Sequence, residues 1–130
     1  VGAGARRVTI VGALGGPRPD HALANIALLG HPAAEGCELQ ILDPTARIRL
    51  LHGASGRLDL AGRVGDLVSL IPLEAVTGVT TAGLRFPLQD DTLMVGPARG
   101  ISNVRAASDA SVAIRSGRLL VIEAPATLRT

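Results

Sequence analysis

The stretch ELQILDPTARIRL, Glu38 to Leu50, decides how this chain divides, because two kinds of patterning meet at Asp43-Pro44. Before it, Glu38 to Asp43 alternates, with Leu39 and Ile41 facing one way, and the preceding segment has helical period. After it the helical period disappears. Ile48 and Leu50 alternate with Arg47 and Arg49, and Leu58 and Leu60 alternate with Arg57 and Asp59. Such alternation is the mark of half-buried strands. Proline after aspartate favours a turn, so the boundary is placed there, with one part at 1–43 and another at 44–130.

Working upstream, Arg6 to Val11 holds Val8, Ile10 and Val11 around Thr9, a nearly continuous apolar run that predicts a strand buried on both faces. A glycine-rich turn, Gly12 to Gly16, and then Pro17-Arg18-Pro19-Asp20 follow. From His21 the residues Leu23, Ile26, Ala27 and Gly30 fall at helical spacing, with Asp20 as the expected N-cap and Gly30 and Pro32 as the stop. The first part therefore reads as one β-turn-α-β unit, too small to stand alone as a doubly wound domain.

Downstream, Leu67 to Leu73, Val79 to Leu88 and Ser111 to Ile122 are further strand candidates, and Ser116-Gly117 reads as a two-residue hairpin turn. Asp90-Asp91 reads as a solvated turn. Short strands at this spacing predict an all-β sandwich or partly closed barrel. The expected fold class is thus an α/β fragment followed by an all-β sandwich domain.

Composition narrows the function classes. Of 130 residues, 47% are apolar, and 16 Gly and 8 Pro point to a globular chain rich in turns. Phe86 is the sole aromatic residue, so the core must be built from aliphatic side chains. A net charge of +2, with the basic residues scattered and no set of rings on which bases could stack, argues against nucleic-acid binding. No apolar run approaches the roughly 20 residues that span a bilayer, so no membrane association is expected. One cysteine, Cys37, cannot make an internal disulfide, which fits a reducing compartment such as the cytoplasm. The chain lacks an initiator Met and is expected to have been trimmed from something longer.

Candidate sites are few. Small residues in the turn from Gly12 to His21 let a ligand approach the backbone, and Gly15, Gly16 and Arg18 can receive a phosphate there. Asp20 can hold Mg²⁺ or orient a hydroxyl nucleophile, though it is equally explained as a cap. Phe86 shares an alternating face with Leu84 and Leu88, which makes it a core residue on pattern alone; a lone ring can also stack on a flat heterocycle. Ser102-Asn103 offers a hydroxyl and an amide, or is an ordinary turn. His21, His31 and His52 show no metal-ligand spacing. Gly53-Ala54-Ser55-Gly56 is no nucleophile elbow, since Arg57 stands where its last glycine belongs.

Three of these segments, in order, resemble the thiamin pyrophosphokinase family. VTIVGALGGPRPDHALANIALL, Val8 to Leu29, is similar to that family's strand, GG-R-x-D-H turn and L-A-N helix. DLVSLIPLEAVTGVTTAGLRFPL, Asp66 to Leu88, resembles its S-L-I-P-L and V-T-T-x-G-L segment, and Gly100-Ile101-Ser102-Asn103 its G-x-S-N turn. The resemblance implies the end of a Rossmann-like, ATP-binding catalytic domain at 1–43 and a thiamin-binding β domain at 44–130. It implies transfer of pyrophosphate from ATP to the hydroxyl of thiamin, with Mg²⁺, giving thiamin diphosphate and AMP. It also implies a homodimer in which thiamin lies between one subunit's catalytic domain and its partner's β domain.

By the same resemblance Arg18, with Gly15 and Gly16, serves the nucleotide phosphates, and Asp20 assists at the metal or acceptor hydroxyl. His21 lines the cleft, Phe86 stacks on thiamin, and Ser102 and Asn103 hydrogen-bond to its pyrimidine. Pro17 adds one residue between Gly16 and Arg18, which alters the shape expected of the phosphate turn. The family's earlier acidic segments are absent, so the chain alone is expected to be inactive or nearly so. The competing expectation is a non-catalytic module that binds thiamin or its diphosphate.

Overall fold

A computed structural model describes residues 7–11, 19–27, 29, 38–53 and 56–125. The chain divides into two compact units, Val1–Leu50 and Leu51–Thr130. The division falls inside a strand, seven residues beyond the Asp43-Pro44 turn.

In the first unit, β1 (Arg7–Val11) pairs in parallel with β2 (Glu38–Asp43), with Ile10 opposite Ile41. Between them in sequence lies α1 (Pro19–Ala27). Pro44 and Thr45 then turn the chain into β3 (Ala46–His52), which runs antiparallel to β2. The expected order of strand, helix and strand is present among the described residues, with corrections to its detail; the turn at 12–18 lies outside them. The helix opens on Pro19, a favoured first-turn residue, so Asp20 lies inside the first turn rather than capping it. There its carboxylate still faces the positive end of the helix dipole. Val11 is 77% exposed and Thr9 is exposed, so β1 is not enclosed on both faces. A parallel strand is normally covered by helices on each side, and the described residues supply one of nine residues. On β3 burial passes from Ile48 to Leu51, so Leu50 does not take the core position that strict alternation gives it. The phase slips where the chain leaves one unit for the other. On β2, Ile41 is fully buried; the side chain of Leu39 lies outside the described residues.

The second unit is an antiparallel β sandwich, as the alternation predicted. One sheet brings together β10 (Arg118–Ala124), β5 (Leu67–Pro72) and β8 (Asn103–Val104), with β5 in the middle. The other has the order β4 (Arg57–Asp59), β9 (Ser111–Ala113), β6 (Val76–Ala82) and β7 (Asp91–Leu93). Val68, Leu70, Leu119 and Val121 point inward from the first sheet, and Val76, Val79, Leu93 and Val112 from the second, forming one aliphatic core. Each fully buried side chain of this kind contributes about 1.5–3 kcal/mol, so the sandwich closes without any aromatic residue. Between Val76 and Val79 the β6–β7 register shifts, and Gly78 takes a positive φ of 66° there, as a bulge requires.

The expected hairpin at Ser116-Gly117 is not one. β9 pairs with β4 and β6, whereas β10 pairs with β5, so the turn carries the chain from one sheet to the other. Gly117, at φ 93°, accepts from the Gly53 amide, and Ser116 bridges to Thr77 instead of closing on β9. The groups that would close a two-residue hairpin are spent elsewhere: Arg115 N donates to Thr77 O at 2.9 Å, and Arg118 O accepts from Leu73 N at 3.0 Å. Asp90 does form a turn, at φ 51°, while Asp91 already begins β7.

Candidate functional site

Phe86 lies beyond the end of β6, in the segment that returns to Leu88. The loop is closed at its base by a reciprocal pair: Thr81 N donates to Leu88 O at 2.9 Å, and Leu88 N donates to Thr81 Oγ1 at 2.9 Å. Gly83, at φ 75°, turns the chain out of the sheet, and its carbonyl accepts from the Ala106 amide at 2.7 Å. The strand alternation therefore stops at Gly83. Leu84 is buried and Leu88 packs on the core, but Phe86 between them is 60% exposed. The core reading of Phe86 fails; its ring is a surface group.

The backbone beneath that ring is held firmly. Arg85 N donates to Val104 O at 2.8 Å. The side chain of Asn103, 8% exposed, then takes the place of a paired strand residue. Its Oδ1 accepts from Phe86 N at 3.0 Å and from Val104 N at 2.9 Å, while its Nδ2 donates to Phe86 O at 2.7 Å. Reversing the amide would set Nδ2 against two N–H donors, so the orientation is fixed by its partners. Both acceptor positions of Oδ1 are thereby used, and one N–H of Nδ2 is left without an acceptor among the described residues.

Ser102 precedes this clamp in the left-handed region, at φ 60°, which is uncommon for a residue with a side chain. Its amide donates to Ser69 Oγ at 3.0 Å, and its own side chain is exposed. Gly100 anchors the turn: Leu70 N donates to its carbonyl at 2.8 Å, and a Cβ there would clash with Leu70 O and lie 3.0 Å from Leu70 Cβ. The G-x-S-N turn is thus shaped by a glycine pressed on β5 and delivers Asn103 to Phe86.

Asp20 and His21 are both exposed in the first turn of α1. They belong to the first unit, and Phe86, Ser102 and Asn103 to the second. Gly15, Gly16, Pro17 and Arg18 lie outside the described residues, as do His31 and Cys37. Among the described residues no three His, Cys, Asp or Glu side chains gather to hold a metal ion. A cleft beside Pro72, Leu93, Met94 and Gly100 offers about 50 Å³, and Phe86 does not line it. That is well short of the roughly 300 Å³ or more that encloses a drug-sized ligand. The described residues therefore offer an exposed ring on a clamped backbone, with the Asn103 amide bonded to that backbone and Ser102 next to Asn103 in sequence.

Two buried charged residues escaped the sequence reading. Arg105 donates through Nε to Ala107 O at 3.0 Å, through Nη1 to Gly62 O at 2.6 Å, and through Nη2 to Ser108 O. Glu123 accepts from Ala61 N at 3.0 Å and Gly62 N at 2.8 Å. Together they fix the 61–66 and 105–108 loops that flank β5 and β8. The visible signal was Glu123 itself, a carboxylate inside the apolar run Leu119 to Ala124.

Residues 57–120 match the family described as "Thiamin pyrophosphokinase, vitamin B1 binding domain". Among solved structures, the chain is similar to thiamine pyrophosphokinase from Bacillus subtilis, with 26% identity and a TM-score of 0.82 over 92% of this chain and 55% of that one. Thiamin pyrophosphokinase from Geobacillus thermodenitrificans is also 26% identical, with a TM-score of 0.80 over 94% of this chain and 55% of that one. The enzyme from Candida albicans, at 16% identity and a TM-score of 0.73 over 92% of this chain and 44% of that one, shares the fold. The chain thus spans about half the length of these proteins. No curated protein sequence matches it.

Proposed function

Because this chain belongs to the thiamin pyrophosphokinase family through the vitamin B1 binding domain at residues 57–120, we propose that it is the thiamin-holding part of a thiamin pyrophosphokinase. The complete protein would transfer pyrophosphate from ATP to thiamin. The thiamin hydroxyl oxygen would bond to the β-phosphorus and give up its proton while the bond from that phosphorus to the AMP oxygen breaks, leaving thiamin diphosphate and AMP. The observation that carries the reading is the pairing of that family match with the chain's one aromatic ring, exposed on a clamped backbone.

In this reading the Phe86 ring stacks on a ring of thiamin, whose flat, electron-poor heterocycles suit an aromatic face. The Ser102 hydroxyl and the remaining N–H of Asn103 are the groups for its pyrimidine. Arg18, with Gly15 and Gly16, serves the phosphates of ATP, Asp20 the metal or the acceptor hydroxyl, and His21 the cleft wall. Phosphoryl-type transfer depends chiefly on positioning and charge neutralisation, which one arginine and one carboxylate do not supply. The chain by itself is therefore proposed to turn over little or nothing. Mg²⁺ accompanies ATP in the proposal: that ion is usually held by one or two carboxylates together with substrate phosphates, and Asp20 is the carboxylate this chain would offer it.

The open platform fits a site completed by another subunit, and a homodimer working in the cytoplasm is part of the proposal. No helix among the described residues is long and apolar enough to cross a membrane. A non-catalytic binding module has less in its favour, since the similar structures carry the names of enzymes. The test is turnover by the complete protein: thiamin and ATP should give thiamin diphosphate and AMP, and a well-folded complete protein without that turnover would refute the reading.

A further inference from the structure

We propose that Asn103 is a positioning residue for the ring platform: its main effect on ligand binding is exerted through Phe86, rather than by its own contact with the ligand. The inference rests on the reading that Phe86 stacks on thiamin, and deepens it.

The chemistry of the clamp leads there. A side-chain amide has four hydrogen-bonding positions, two on the oxygen and two on the nitrogen. Three of Asn103's are spent on backbone groups: Phe86 N, Val104 N and Phe86 O. Two of those three grip one residue from both sides of its Cα, which fixes φ and ψ of Phe86 and so the direction of Cα–Cβ. Nothing else described does this for Phe86, because it lies outside β6 and the flanking backbone bonds fall on Arg85 and Leu88. A ring that is mostly exposed has little packing of its own to hold it. Its direction must then come from the backbone, and Asn103 sets that backbone. Ordering the platform beforehand removes an entropy cost that the ligand would otherwise meet on binding.

Asparagine is the residue type this requires. Aspartate has the same shape but no N–H, so Asn103→Asp would bring a carboxylate oxygen against Phe86 O where the 2.7 Å hydrogen bond now runs. The amide clamp would open on that side while Phe86 N kept its acceptor.

The test is a double-mutant cycle on thiamin binding to the complete protein, measured by titration calorimetry for the unaltered protein, Asn103→Asp, Phe86→Ala and the double variant. With Phe86 present, Asn103→Asp should raise the Kd for thiamin about tenfold, a coupling of ordinary size for residues in contact. In the Phe86→Ala background the same change should cost clearly less, no more than about threefold for the N–H that Asn103 offers the pyrimidine, because no ring is left to aim. Equal losses in both backgrounds would overturn the proposal, since a direct ligand contact or a general loss of fold acts whether or not the ring is there. If Asn103→Asp fails to fold, Asn103→Ser, which cannot span the same contacts, takes its place in the cycle with the same expected outcomes. Absence of thiamin binding by the unaltered, folded protein would sink the proposed function and the positioning role together. Additive losses on a background of normal binding sink the positioning role alone.

Discussion

Phe86→Ala separates a ring that binds from a ring that packs, because the two roles predict opposite balances of affinity and stability. Phe86 is 60% exposed, so less than half of its surface contributes to folding. Full burial of such a side chain is worth about 1.5–3 kcal/mol, which puts the stability lost on truncation near 1 kcal/mol and the fall in Tm at a few degrees. If the exposed face is where thiamin stacks, the same truncation removes about 1–3 kcal/mol of binding. That is a rise in Kd of roughly 5- to 150-fold. Titration calorimetry on the complete protein, beside a thermal melt of the same sample, reads both quantities. Phe86→Leu refines the result: it keeps apolar bulk but has no π face, and should fall between the two. Unchanged thiamin affinity in Phe86→Ala would refute the reasoning. So would a collapse of Tm, which would return the ring to a packing role.

The remaining predictions concern the frame around the platform. Gly100→Ala should cost about 1–3 kcal/mol, seen as a lowered Tm, because the added methyl meets the Leu70 carbonyl and Cβ, and backbone cannot move aside as a flexible side chain can. Arg105→Met should destabilise by at least about 2 kcal/mol in urea unfolding, since it strips donors from the carbonyls of Gly62, Ala107 and Ser108. Arg115→Ala should move stability by less than about 1 kcal/mol in the same assay, because the Arg115–Asp90 pair at 2.5 Å joins two side chains more than half exposed.

Much of the second unit was legible because its strands obey a simple rule. Leu58 and Leu60, Val68 and Leu70, and Leu119 and Val121 alternate, and each pair lies in or against the core. What escaped was information not carried by alternation. The connection at Ser116-Gly117 has hairpin chemistry, yet which sheet each flanking strand joins depends on partners distant in sequence. β7 was missed because its first residue, Asp91, read as part of a solvated turn, and β8 because two residues cannot show alternation. Phe86 carried the right period for the core and was displaced from it by Gly83, whose positive φ resets the phase. At the site, the residue types at Phe86, Ser102 and Asn103 were visible, but the division of labour was not. An asparagine beside a serine reads as a pair of ligand contacts, and only the fold places Asn103 seventeen residues back along the chain against the Phe86 backbone.

The central claim, that thiamin is held against the face of Phe86, is most directly measured by NMR of the complete protein carrying ring-¹³C phenylalanine, with the Phe86 signals assigned by their loss in Phe86→Leu. Added thiamin should shift the Phe86 ring resonances progressively and to saturation, at the same midpoint that calorimetry gives for binding. Thiamin that binds while those resonances stay where they were would contradict the account.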